Sequence, residues 1–123
     1  MITIYQRSSC SSSKKAMQWF DFNQLTYEKK KVDFLSREQL IAILSLTENG
    51  LEDIIKTQGD SKTRSKVKKL TSMTFNDALF YIQTHSEVLR TPIILSQKKL
   101  LVGFNNDDIR QFIPHHNRAI TNA

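Results

Sequence analysis

Apolar, β-branched runs lie at the two ends of this chain, with helix-patterned sequence between them. Ile2-Thr3-Ile4-Tyr5 alternates apolar residues with threonine and reads as a short buried strand. Pro92-Ile93-Ile94-Leu95 and Leu100-Leu101-Val102 are two more apolar runs, separated by Ser96-Gln97-Lys98-Lys99. That spacing suits a hairpin, although its linker has no glycine or asparagine. Leu25 to Val32, with Thr26, Tyr27 and Val32, forms a further strand. Two strands joined by a helix imply a parallel pair, and a hairpin adds antiparallel ones. The order strand–helix–strand, helical block, hairpin–helix therefore predicts an α/β chain with a mixed four-stranded sheet and flanking helices.

The helices carry local start and stop signals. Beyond the serine-rich loop Gln6 to Ser13, Ala16, Met17 and Phe20 recur at helical spacing up to about Asn23, with Lys14, Lys15 and Gln18 outward. Ser36-Arg37-Glu38-Gln39 matches a capping box, with Leu35 and Leu40 placed as a hydrophobic staple. The stripe Leu40, Ile41, Ile43, Leu44 follows, and Asn49-Gly50 is expected to end that helix. Leu51, Ile54 and Ile55 suggest a short helix, Gln58 to Ser61 a turn, and 62–70 a basic helix. Thr74 caps a helix with Phe75, Leu79 and Ile82 inward, ending near His85. A last helix has Ile109 and Phe112 inward, with Asp107 and Asp108 favouring its dipole. After Pro114 the tail from His115 to Ala123 is polar.

At 123 residues the chain is one domain in size. No apolar run approaches the roughly 18 residues that span a bilayer, and the first residues read as mature structure rather than as a leader. A single cysteine excludes an intramolecular disulfide and a four-cysteine zinc site, and it fits a reducing, cytoplasmic setting. The histidines, His85 and the adjacent His115 and His116, do not make a metal site, and no cofactor is expected. The formal charge of +6 favours acidic partners. Lys62, Arg64, Lys66, Lys68 and Lys69 form one basic cluster and Lys29, Lys30 and Lys31 another. Neither has interleaved aromatics for base stacking, and either can serve simply as a solvated surface.

Cys10 lies after the first strand and before the first helix. A helix N-terminus presents free N–H groups and a positive dipole end that stabilise a thiolate, and Lys14 and Lys15 are expected to add to this. A reactive thiol and an inert loop residue are both compatible with that position.

The order of these features resembles the arsenate reductase-like branch of the thioredoxin fold, and within it the Spx-type transcription regulators of low-GC Gram-positive bacteria. The stretches that carry the resemblance begin with Ile4-Tyr5, Ser9-Cys10, Lys14-Lys15-Ala16 and Trp19. They continue with Leu46-Thr47-Glu48-Asn49-Gly50, Glu52-Asp53-Ile54-Ile55 and Thr63-Arg64-Ser65-Lys66-Val67. Leu89-Arg90, Pro92-Ile93-Ile94, Val102-Gly103-Phe104-Asn105, Asp108-Ile109-Arg110 and Phe112-Ile113-Pro114 complete them. The resemblance runs to about Arg118. It implies one thioredoxin-like domain over 1–118 with a helical insertion at 34–88, and a flexible tail at 119–123. It also implies that Pro92 is the cis-proline of that fold.

Departures from the family pattern separate two branches. Reductases of this type hold an oxyanion with three arginines beside the nucleophilic cysteine. The corresponding positions here are Gln58, Thr91 and the stretch Leu101-Val102-Gly103. An oxyanion without those charge-assisted contacts is poorly held. Spx proteins carry Cys-X-X-Cys as a disulfide switch, and here Ser13 takes the second place. The resemblance thus implies a non-catalytic regulator without that switch, binding the C-terminal domain of the RNA polymerase α subunit. It places the docking residues at Gly50, Thr47 and Glu48, with the loop Arg7, Ser9 and Cys10 beside them. Lys62, Arg64, Lys66 and Arg90 are candidate contacts to promoter DNA, and a Clp-type protease is a candidate reader of Thr121-Asn122-Ala123. The rival readings are a thiol oxidoreductase or reductase using Cys10, and a basic adaptor with no polymerase role.

Overall fold

A computed structural model describes residues 1–114; the expectations for His115, His116 and the 119–123 tail fall outside the described residues. The elements run β1 (Thr3–Gln6), α1 (Ser11–Phe22), β2 (Glu28–Lys31), α2 (Arg37–Leu44), α3 (Ser61–Leu70), α4 (Phe75–Thr84), β3 (Ile93–Leu95) and β4 (Leu100–Val102). Short 3-10 turns occupy Val32–Phe34, Gly50–Asp53, Ser86–Val88 and Asp108–Phe112.

The four strands form one mixed sheet in the order β2-β1-β3-β4. β1 lies parallel to β2, with Ile4 opposite Lys29, and antiparallel to β3, with Ile4 opposite Ile94. β3 and β4 close the hairpin with Ile94 opposite Leu101. Alternation along the strands divides the interior in two. Ile4 and Ile94 join Ala16, Phe20, Ile109 and Phe112 on the α1 face. Tyr5 and Ile93 join Leu40, Ile43, Leu79 and Ile82 on the face covered by α2 and α4. Phe20 anchors the first layer, fully buried against Trp19, Tyr27 and Phe112.

The capping box forms as its spacing requires. Ser36 Oγ accepts from Gln39 N at 3.1 Å, and the Gln39 side chain accepts from Ser36 N at 2.8 Å. Leu35 and Leu40 are both buried in one cluster, which fits the expected staple. At α3 and α4 only the N-cap side chain takes part: Asp60 accepts from Thr63 N and Thr74 from Asp77 N.

Several expected boundaries are corrected. α2 ends at Leu44, well before Asn49-Gly50. Ser45 Oγ and Thr47 Oγ1 donate to the Ala42 and Leu44 carbonyls, each at 2.6 Å, and so satisfy the helix end from side chains. Gly50 instead opens a 3-10 turn at φ +73°. β2 is shorter than 25–32, because Leu25 and Tyr27 pack against the α1-side cluster before the ladder begins. Phe75 is 53% exposed rather than inward. It is the first residue of α4, and helical side chains lean toward the N-terminus, which carries its ring past the end of the core. The last helix is a 3-10 turn, although Ile109 and Phe112 are buried as expected.

Candidate functional site

Three segments meet at the end of β1: the Arg7–Cys10 loop, the Arg90-Thr91-Pro92 entry to β3, and the stretch after Ile55. Cys10 is the N-cap of α1, in extended conformation, and its Sγ donates to Thr91 O at 3.5 Å. The peptide bond between Thr91 and Pro92 is cis. Ser13 is fully buried one turn into α1, and its hydroxyl accepts the Arg7 N–H at 3.4 Å.

Partial burial by itself pushes the Cys10 thiol up. The Ser13 hydroxyl, Thr91 and the Ser13 and Ser12 N–H groups outweigh it and hold the thiol below its ordinary value. Lys14 and Lys15, expected to supply charge, are exposed on α1, and hydrogen bonds rather than these ammonium groups dominate at the thiol. Lys56 lines the same cavity as the thiol. Burial lowers its pKa and Arg7 lowers it further, against the pull of Cys10, Asp60 and Glu87. Lys56 has no sequence signal beyond following a buried pair, Ile54 and Ile55, so sequence reasoning misses it.

A cavity of about 760 Å³ opens over Cys10, with Arg7, Lys56 and Arg90 on its walls. Gln58, Thr91, Leu101, Val102 and Gly103 line the same cavity, so the positions that the resemblance sets against the reductase arginines converge there. Gly103 adopts φ +86°, and an added Cβ would stand 3.2 Å from an Arg90 guanidinium nitrogen. Its lack of a side chain lets Arg90 lie across the backbone and donate to Asp53 O at 3.3 Å.

Gly50, Thr47 and Glu48 are not among the residues lining this cavity. They belong to a turn organised by Asp53, whose carboxylate accepts from Glu48 N and Asn49 N at 3.0 Å each. Those bonds, chiefly from Asn49, hold Asp53 below the usual carboxylate range. Thr47 Oγ1 accepts from Gly50 N at 3.1 Å, and nothing lies within 4 Å of where a Gly50 Cβ would be. Arg90 connects the two regions, lining the cavity while bonding Asp53.

On α3, Lys62 and Arg64 are exposed, whereas Lys66 is ion-paired with Glu87, which raises the lysine pKa and lowers that of the carboxyl. His85 stacks on Tyr81 with ring centroids 4.0 Å apart. Among the described residues no cluster of histidine, cysteine and carboxylate side chains could hold a metal ion, and no helix is long and apolar enough to cross a membrane.

Residues 5–112 match the ArsC family. The chain is 37% identical over 123 residues to the global transcriptional regulator Spx of Enterococcus faecalis, covering 98% of this chain and 92% of that protein. It is 35% identical over 125 residues to Spx 2 of Bacillus anthracis, covering 99% and 94%. Among solved structures, an ArsC family related protein from Bacteroides fragilis superposes with a TM-score of 0.77 at 23% identity, over 89% of this chain and 95% of that one. An arsenate reductase from Vibrio cholerae superposes with a TM-score of 0.66 at 14% identity, over 89% and 92%. Both superpositions speak to the fold.

Proposed function

The chain belongs to the ArsC family, and from that premise we propose that it is a transcription regulator which docks on the C-terminal domain of the RNA polymerase α subunit without catalysis of its own. Similarity over nearly the whole chain to proteins named global transcriptional regulator Spx supports the regulatory role. The observation that carries the docking surface is the backbone at Gly50. It holds a left-handed conformation in a turn tied by Thr47 and Asp53, with open space where a side chain would project. A partner backbone can approach closely there. Thr47, Glu48 and Gly50 form one half of the proposed surface, and Arg7, Ser9 and Cys10 the other.

Once docked, Lys62, Arg64 and Arg90 would contact promoter phosphates, each adding a salt-dependent increment. Lys66 would join them only by exchanging Glu87 for phosphate. Specificity then comes from the polymerase, since the sequence carries no base-reading motif.

The direct test is calorimetric binding to the purified C-terminal domain of the polymerase α subunit, with Gly50→Arg in parallel. Micromolar or tighter binding that the variant loses supports the reading; a wild type that does not bind sinks it. The lowered thiol of Cys10 favours a second reading, a thiol oxidoreductase or reductase acting through that residue alone. The cavity positions Gln58, Thr91 and 101–103 supply no arginine for an oxyanion, and the guanidiniums of Arg7 and Arg90 on its walls already donate to protein oxygens, which argues against an arsenate reductase. Reductase turnover lost in Cys10→Ser would establish the enzyme instead.

A further inference from the structure

We propose that Arg7 is a positioning residue whose guanidinium straps the Cys10 loop to the segment between α4 and β3, setting the geometry of both halves of the docking surface without a disulfide. The inference rests on the polymerase-docking reading above.

Arg7 follows β1 directly, and its side chain reaches across the fold. Nη2 donates to Ser86 O at 2.7 Å, and Nη1 donates to Leu89 O at 3.4 Å and to Thr91 Oγ1 at 3.3 Å. The same residue closes its own loop: its carbonyl accepts Cys10 N–H at 2.9 Å, and its N–H donates to the buried Ser13 hydroxyl. These acceptors are neutral oxygens fanned over three residues, which suits a planar fork of donors and not a single ammonium. Ser86 O also accepts Leu89 N–H at 3.0 Å, so the strap pulls on a turn that is itself hydrogen-bonded.

The hold continues beyond that turn. Arg90 lies between two of the strapped residues and donates its N–H to Ile54 O at 2.9 Å and its guanidinium to Asp53 O. Asp53 in turn organises Glu48 and Asn49 beside Gly50. A continuous chain of bonds therefore runs from the Arg7 loop, through Leu89, Arg90 and Thr91, to the Thr47–Gly50 turn. With Cys10 as the chain's one cysteine, no internal disulfide can supply this hold. The strap contains no thiol and works under reducing conditions.

The test combines amide hydrogen exchange of the free protein with calorimetric binding to the same polymerase domain, reductant present throughout, for wild type, Arg7→Lys and Arg7→Met. Circular dichroism checks that each variant is folded, and should Arg7→Met fail, Arg7→Lys gives the same comparison. The expected result is faster exchange at Cys10, Lys14 and Leu89 together, and an affinity about ten-fold weaker for Arg7→Met, with Arg7→Lys between. Weaker binding with unchanged exchange would mean that Arg7 acts only as a contact residue of that surface and would overturn the strap. Faster exchange with unchanged affinity would overturn the positioning role. A wild type that does not bind removes the docking reading and the positioning role with it, while the exchange data still report separately whether the strap exists.

Discussion

Gly50→Arg perturbs the backbone and the proposed interface together, and the structure separates the two effects by size. An arginine Cβ would meet nothing within 4 Å, so the free protein offers no steric obstacle. The remaining cost is the left-handed conformation at φ +73°, about 1–2 kcal/mol for an L residue. An unfolding entropy near 2.1 cal/mol/K per residue gives about 0.26 kcal/mol/K for this 123-residue chain. Tm should therefore fall by about 4–8 °C. Domains of this size are stable by about 6 kcal/mol or more, so at least about 4 remain and the unfolded fraction stays near 0.1%. Backbone strain alone thus leaves the measured affinity unchanged. Loss of binding by about a hundred-fold or more in Gly50→Arg must then arise where the partner sits. Gly50→Asn is the control, because asparagine tolerates the left-handed region and projects little. It should lose fewer degrees and less affinity than arginine. Thermal unfolding followed by circular dichroism, with calorimetric titration of the C-terminal domain of the polymerase α subunit, reads both quantities. Wild-type affinity in Gly50→Arg would refute the interface, and a Tm change under about 1 °C would refute the backbone argument.

Ser36→Ala removes the side-chain half of the capping box and should cost about 1 kcal/mol, a fall of about 4 °C in Tm, visible in chemical or thermal unfolding. Ser13→Ala deletes a hydroxyl that holds the Cys10 thiol below its ordinary value; the pH midpoint of iodoacetamide alkylation should move upward, and a lower or unchanged midpoint contradicts the assignment. Asp53, held low by the Asn49 and Glu48 N–H groups, stabilises the fold above the ordinary aspartate pKa of about 3.9, and that contribution disappears as pH falls through its lower folded value. Tm measured between pH 7 and pH about 2 should therefore fall less steeply at the acid end for Asp53→Asn than for wild type.

Local chemistry makes much of this molecule legible. The Ser36 box, the cap at Thr74 and the strand runs at both ends depend on neighbours a few residues away, so the same contacts appear in the folded chain. The mixed sheet follows from the order of those elements, since a helical crossover and a short hairpin leave few pairings. The end of α2 departs from expectation because Asn49-Gly50 is the stronger stop signal by composition, yet Ser45 and Thr47 satisfy the helix carbonyls first. Phe75 departs from it because periodicity does not say where the core stops along the helix axis.

Residue order alone carries the family, and near-neighbour contacts set the succession of elements and the placing of Cys10 at a helix start. The surroundings of Cys10 arise only when the chain has folded. Lys56 reaches the cavity because the stretch after Ile55 packs beside the Thr91 segment, and Arg7 finds Ser86, Leu89 and Thr91 from the far end of the chain. Side chains so distant in sequence leave no periodic trace, and their partners exist only after two hydrophobic layers have closed on either side of the sheet.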